Sequence, residues 1–261
     1  MFRFVNSELD ISHKLDYASS PMDEYGKHMH IFYELILFLR GDVDYHVESE
    51  LRHLKAGDIV LINPGKLHFA AANHNIGYER YVLKFPASMV HDYLKAMLKD
   101  NKPFYSSNAF IESIIKNFDT LHDTYSEDDF ATLIKSKIIE ICVYLKNAKQ
   151  GVMGYKNDDI ISVLVDYIQA HIKEDLTLAK LSENLHYSES YLSNLFKKEM
   201  HCSLMKYIKT KKIILAQIMI REGKKAVDVC EELKFNDYST FYRTYVKVLG
   251  VSPILDKFDR S

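Results

Sequence analysis

Residues 176–200, LTLAKLSENLHYSESYLSNLFKKEM, and residues 225–250, KAVDVCEELKFNDYSTFYRTYVKVLG, follow one pattern. Each reads as a short helix, a tight turn and a second helix. In the first copy Ala179 and Leu181 are expected to face a core with Leu192, Leu195 and Phe196; in the second, Val227, Val229 and Leu233 do so with Phe241 and Tyr245. Thr177, Ser188, Ser203 and Asp237 stand where helices should begin, and their side-chain oxygens can accept from free backbone N–H groups. A long helix from Ser203 to about Glu222 joins the copies, so the last 100 or so residues are constrained to an all-α repeat.

The other half has a different period. ELILFLRGDVDYHVE, LRHLKAGDIVLINPGKLHF and YERYVLKF are β-rich runs broken at Gly41-Asp42, Ala56-Gly57-Asp58 and Asn63-Pro64-Gly65. Short strands with regular turn signals over residues 28 to about 86 predict a small barrel or sandwich. Helical spacing returns in IESIIKNFDTLHDTY and FATLIKSKIIEICVYLKNAK. In the second, apolar Phe130, Leu133, Ile134, Ile138, Ile141 and Leu145 cover more than a narrow stripe, as expected of a helix that caps the barrel or also meets a partner. The chain is therefore expected to be a two-domain α+β protein. Residues 1–147 form a barrel with flanking helices, 148–157 a glycine-containing linker, and 158–261 the helical repeat.

Composition narrows the setting. Net charge is −2, so any surface that attracts polyanions must be local. Cys142, Cys202 and Cys230 are odd in number and form no CxxC pair, which argues for a reducing compartment and against a disulfide framework or zinc ribbon. The N-terminus lacks the apolar core of a signal peptide, and no apolar run approaches the ~20 residues that cross a bilayer. A cytoplasmic protein with no membrane partner is expected.

HMHIFYE, residues 28–34, raises the chemical question. On a strand, His28, His30 and Glu34 would point to one side. Eight of the twelve histidines lie within residues 13–91, which hints at a polar pocket.

Two resemblances become specific at this point. SESYLSNLFKKEMHCSLMKYI and FNDYSTFYRTYVKVLGVSP, the latter with its terminal Gly250-Val251-Ser252-Pro253, resemble the two recognition helices of the AraC/XylS family of bacterial transcription regulators, at the right spacing over about residues 160–255. The departures are His186 and Lys234 at turn positions where the family has glycine, His201 where GxS is usual, and Lys212 in place of arginine. In that family the other domain is commonly a cupin-type sensor that also dimerises. HMHIFYELILFLRG resembles the cupin spacing, with His28, His30, Glu34 and Gly41 in register, and GDIVLINPGKLH, ending at His68, resembles the second cupin motif.

The resemblance implies a DNA-binding regulator and not an enzyme, with double-stranded DNA, a small-molecule effector such as a sugar, and a second copy of the chain as partners, and no cofactor. The physics of the helical half points the same way. A helix of 20 residues spans about 30 Å, close to the ~34 Å between successive major-groove faces on one side of B-DNA. Lys197, Lys198, Lys206, Lys209, Lys211, Lys212 and Arg221 face one acid, Glu199, over residues 191–221. Ser190, Ser193 and Asn194 fall on base-contacting positions by the resemblance, with Lys197 beside them. Tyr238, Ser239, Tyr242 and Arg243 point outward on the second copy, and the Arg243 guanidinium matches guanine O6 and N7.

Three readings of the barrel stay open: a divalent metal held by His28, His30, Glu34 and His68; a metal-free effector pocket using those residues and Arg80; and histidines satisfied by their neighbours. A cupin metalloenzyme with a helical appendage is the alternative function.

Overall fold

In the computed structural model the described residues are 1–17, 26–73, 75–99, 102–148, 155–156 and 159–258. The chain divides into two compact units, Met1–Tyr155 and Lys156–Ser261. Of the expected linker, residues 149–154 and 157 lie outside the described residues, as does Asp158, an expected helix cap.

The first unit is built on two antiparallel sheets. One has the order β1 (Phe2–Val5), β2 (Asp10–Asp16), β8 (Tyr78–Phe85), β3 (Tyr33–Arg40), β6 (Ile59–Ile62), β9 (Phe104–Tyr105). In the other, β4 (Val43–Val47) lies between β5 (Glu50–His53) and β7 (His68–Ala72). Strands β1, β2 and β9 were not anticipated from the sequence. The first sheet is buried on both faces, which explains the unbroken apolar run of β3. Its odd residues Tyr33, Leu35 and Leu37 pack with Ile11, Leu83, Ile134, Ile138 and Ile141. Its even residues Ile36 and Phe38 pack with Val43, Tyr45, Tyr78 and Val82 toward the second sheet. Glu34 shares the even parity, so a carboxylate is placed on the face between the sheets.

The layer on the other face is supplied by α1 (Asp92–Lys99), α2 (Ala109–Lys116), α3 (Phe118–Thr124) and α4 (Glu127–Asn147). Phe130, Ile134, Ile138, Ile141 and Leu145 of α4 are buried as expected, with Leu133 half-buried. Ile139 and Val143 of α4 are exposed.

The second unit contains α5 (Asp159–Ala170), α6 (Leu178–Leu185), α7 (Glu189–Met200), α8 (Leu204–Arg221), α9 (Ala226–Glu232), α10 (Tyr238–Leu249) and α11 (Pro253–Phe258). Thr177, Ser188, Ser203 and Asp237 all cap as expected, accepting from the N–H groups of Lys180, Tyr191, Lys206 and Thr240. The second copy packs Val229, Cys230, Leu233, Phe241 and Tyr245 against Ile213, Ala216 and Ile220 of α8. Two core expectations are corrected. Ala179 and Val227 are exposed, because each is the second residue of its short helix and the buried stripe begins two positions later, at Leu181 and Val229.

Candidate functional site

The barrel site is assembled by a bend and a bridge, where a continuous strand was expected. Strand β3 begins only at Tyr33, so HMHIFYE is not one strand. His28 instead forms an isolated antiparallel bridge with His68 at the start of β7, its N–H donating to the His68 carbonyl at 3.3 Å and its carbonyl accepting from the His68 N–H at 3.2 Å. The loop of Asn63-Pro64-Gly65 fixes the next residue, since Gly65 N–H donates to the His30 carbonyl at 2.8 Å. The bend at Ile31-Phe32 then turns the chain into β3 and presents Glu34 beside both.

The side chains converge on one carboxylate oxygen. Glu34 Oε2 lies 2.7 Å from His30 Nε2, 3.2 Å from His68 Nε2, 3.4 Å from Lys84 Nζ and 3.9 Å from His28 Nε2. The Nε2 atoms of His28 and His68 are 3.1 Å apart. Each ring is anchored from behind: Nδ1 of His28, His30 and His68 lies 2.8, 3.1 and 2.9 Å from the carbonyls of Gly26, Phe32 and Lys66. A carbonyl only accepts, so the anchoring bond places a proton on each Nδ1, and a ring that also donates from Nε2 to the carboxylate is then an imidazolium. Burial, reinforced by His68, pushes His28 down to about 4, and burial lowers His30 as well. Burial works to raise Glu34, but hydrogen bonds from His30 and His68 and the neighbouring charges hold it well below the usual carboxylate range.

A cavity of about 390 Å³ opens beside this cluster. His28, Glu34 and Arg80 line it; His30 and His68 do not, and His68 is fully buried. Asp10, Lys14 and Asp16 of β2, Tyr78 and Lys84 of β8, Tyr45 and Phe69 complete much of the wall. Arg80 pairs with Asp16 at 2.8 Å and lies 3.9 Å from the centre of the Tyr78 ring. Burial lowers Lys14, with Arg80 beside it adding to the effect. Sequence reasoning missed the β2 contribution, although DISHKLD alternates polar Asp10, Ser12, Lys14 and Asp16 against Ile11, His13 and Leu15, the period-2 signal of a half-buried strand.

In the second unit, the outward positions of both second helices are where the pattern put them. Ser190, Asn194 and Lys197 of α7 are exposed and Ser193 half-buried; Tyr238, Ser239, Tyr242 and Arg243 of α10 are all exposed. Counted from the buried anchors Leu192 and Phe241, Asn194 and Arg243 are equivalent positions, as are Ser190 and Ser239. The expected basic surface is smaller than the sequence suggested. Lys211 and Lys212 are buried, Lys212 Nζ donating to the carbonyls of Glu174 at 2.6 Å and Leu233 at 2.8 Å. Arg221 pairs with the buried Asp256 at 2.7 Å. Lys197, Lys198, Lys206 and Lys209 remain exposed.

Comparison with known proteins accounts for both halves. The AraC-like ligand binding domain family matches residues 14–141, and a helix-turn-helix domain family matches residues 181–254. The chain belongs to the AraC family. It is 30% identical over 139 residues to the uncharacterized HTH-type transcriptional regulator YtdP of Bacillus subtilis, covering 52% of this chain and 17% of that protein. It is 23% identical over 230 residues to an uncharacterized HTH-type transcriptional regulator of Staphylococcus aureus, covering 85% and 31%. This AraC-family chain thus spans less than a third of the length of either relative. Among solved structures, ToxT of Vibrio cholerae with bound unsaturated fatty acid aligns at 12% identity and a TM-score of 0.43, covering 98% of this chain and 97% of that one. Among the described residues, no helix of this AraC-family chain is long and apolar enough to cross a membrane.

Proposed function

We propose that the chain is a sequence-specific DNA-binding transcriptional regulator whose barrel takes up a small polar effector. The observation that carries the first part is the pair of helix-turn-helix units with equivalent, solvent-facing polar residues. Asn194 suits adenine and Arg243 suits guanine, each through two hydrogen bonds. Lys197, Lys198, Lys206 and Lys209 supply phosphate attraction that carries no sequence information. The test is binding to the DNA upstream of its own or neighbouring genes. Asn194→Ala and Arg243→Ala should each weaken specific binding by about 1–3 kcal/mol and relax preference at one base; sequence preference unchanged in both would overturn the assignment.

The effector is of carbohydrate type. Paired acids and bases in Asp10, Lys14, Asp16, Arg80 and Lys84, beside the Tyr45, Tyr78 and Phe69 rings, suit a ligand with many hydroxyls and an apolar face. Ser12 Oγ, on the same strand face, is buried with no hydrogen-bond partner among the described residues, which also favours a polar occupant. The regulator acts in the cytoplasm as a homodimer in which effector binding favours one arrangement over another. Calorimetric titration with a sugar panel, with Arg80→Ala as control, tests the pocket. The second reading, a metal-dependent cupin enzyme, draws on the His28, His30, Glu34 and His68 cluster; it gives the paired helix-turn-helix units nothing to do.

A further inference from the structure

We propose that the barrel cavity takes an acidic sugar, a hexuronate or similar polyhydroxy acid, whose carboxylate is held by the Lys14 ammonium. This rests on the carbohydrate reading above and adds the charge of the ligand. Among the described residues, three carboxylates and three cationic side chains line the cavity: Asp10, Asp16 and Glu34, with Lys14, Arg80 and Lys84. The carboxylates are already engaged. Asp16 pairs with Arg80 at 2.8 Å, Glu34 meets Lys84 at 3.4 Å, and Asp10 meets Arg3, outside the cavity lining, at 3.4 Å. Lys14 is the cation left over, with no hydrogen bond or ion pair to its ammonium among the described residues.

Strand register makes that leftover charge unfavourable in the empty barrel. The pairing of β2 with β8 sets Lys14 directly across from Arg80, and like charges opposite one another on neighbouring strands destabilise a sheet. Arg80 is buried and lies over the Tyr78 ring, so it is not free to turn away. Asp10 is the carboxylate whose charge favours the Lys14 ammonium, and it is shared with Arg3. An anion in the cavity gives Lys14 the partner that the fold withholds. The number of charges then selects the anion: one uncompensated ammonium matches one carboxylate, whereas a phosphate ester brings about −1.5 to −2. Tyr45 offers a second contact. It is 4% exposed, lines the same cavity, and its hydroxyl has no hydrogen-bond partner among the described residues. Burial first, then Glu34, push that hydroxyl well above the usual tyrosine range, so it keeps its proton and can donate. A volume of about 390 Å³ is at the small end for ligand pockets, which suits a single pyranose ring.

The experiment uses the full chain without DNA. Calorimetry compares galacturonate and glucuronate with galactose, glucose and glucose 6-phosphate in the wild type, in Lys14→Met, and in Lys55→Met, which removes an exposed lysine outside the cavity lining. One hexuronate per chain should bind at least about tenfold tighter than its neutral hexose, the effect of one charge-assisted hydrogen bond. Lys14→Met should abolish that advantage and leave neutral hexose binding within about twofold; Lys55→Met should keep it. A second measurement does not depend on the choice of sugar. Lys14→Met removes the like charge facing Arg80 and should raise the Tm of the ligand-free chain by roughly 2–4 °C. Neutral hexose bound as tightly as the acid would overturn the proposal and leave the carbohydrate reading standing. Tighter binding of the phosphate ester would overturn the carboxylate assignment. A lowered Tm in Lys14→Met would show that the ammonium is already compensated, and would overturn it too. Absence of binding by every sugar, acidic or neutral, would overturn both readings.

Discussion

At the scale of single residues, three positions among the described residues of the helical unit carry a conformation their side chains resist. His186, His201 and Lys234 end or follow helices with φ of 58°, 51° and 56°. An L-residue in this region is disfavoured by about 1–2 kcal/mol, while glycine is not. The departures from family glycine therefore leave the turns built the same way and strained. His186→Gly and Lys234→Gly, both at exposed sites, should each stabilise the helical unit by about 0.5–1 kcal/mol once the greater unfolded-state freedom of glycine is subtracted. Urea denaturation measures it, and a loss of stability in both would show that the left-handed turns are not under strain. The lysines divide along similar lines. Lys212→Met keeps the apolar stem but leaves the Glu174 and Leu233 carbonyls unpaired, and should cost about 1–3 kcal/mol. Lys206→Ala and Lys209→Ala, at exposed positions, should leave stability within about 0.5 kcal/mol and weaken DNA binding more at low salt than at high.

At the scale of elements, α3 is tied to the sheet by charge as well as by packing. Asp119 Oδ1 accepts from His13 Nδ1 at 2.9 Å, the Tyr81 hydroxyl donates to its other oxygen, and His13 Nε2 meets Glu79 at 3.1 Å. Burial works to raise Asp119 and Glu79, but the bonds from Tyr81 and His13 to the first, and from His13 and Arg40 to the second, hold both below the usual carboxylate range. A carboxylate whose folded pKa is depressed adds stability above its unfolded value near 4, and that stability fades as pH falls through the folded value. The first unit should therefore lose Tm steadily below about pH 4.5, and Asp119→Asn should flatten that slope; an unchanged slope would remove this link from the account. What the sequence disclosed follows from the same forces. Helix starts were legible because capping is local: Ser188 and Asp237 bond N–H groups three residues on. The β2 strand carried its period-2 alternation, but the role of its polar face was not legible, because Lys14 and Asp16 line a cavity that only β8 and the second sheet complete. The His28, His30, Glu34 and His68 set was legible by spacing, yet its convergence depends on a bend and a long-range bridge that no strand periodicity encodes.

At the scale of the whole molecule, a cavity-bearing sheet unit and a doubled helix-turn-helix unit share one chain, and the two-domain α+β organisation was readable from the change of period alone. The size of the basic surface was not, because a sequence cannot distinguish a lysine that faces solvent from one, like Lys212, that serves as an internal hydrogen-bond donor. The central claim is that α7 and α10, held by the 18-residue α8, enter successive major grooves of one duplex. Hydroxyl-radical footprinting of the wild type and of Arg243→Ala on an operator selected from genomic DNA tests this most directly. The account predicts two protected patches about 10 base pairs apart on one face of the helix, with Arg243→Ala weakening one patch before the other. A single patch, or two that respond alike to Arg243→Ala, would contradict it.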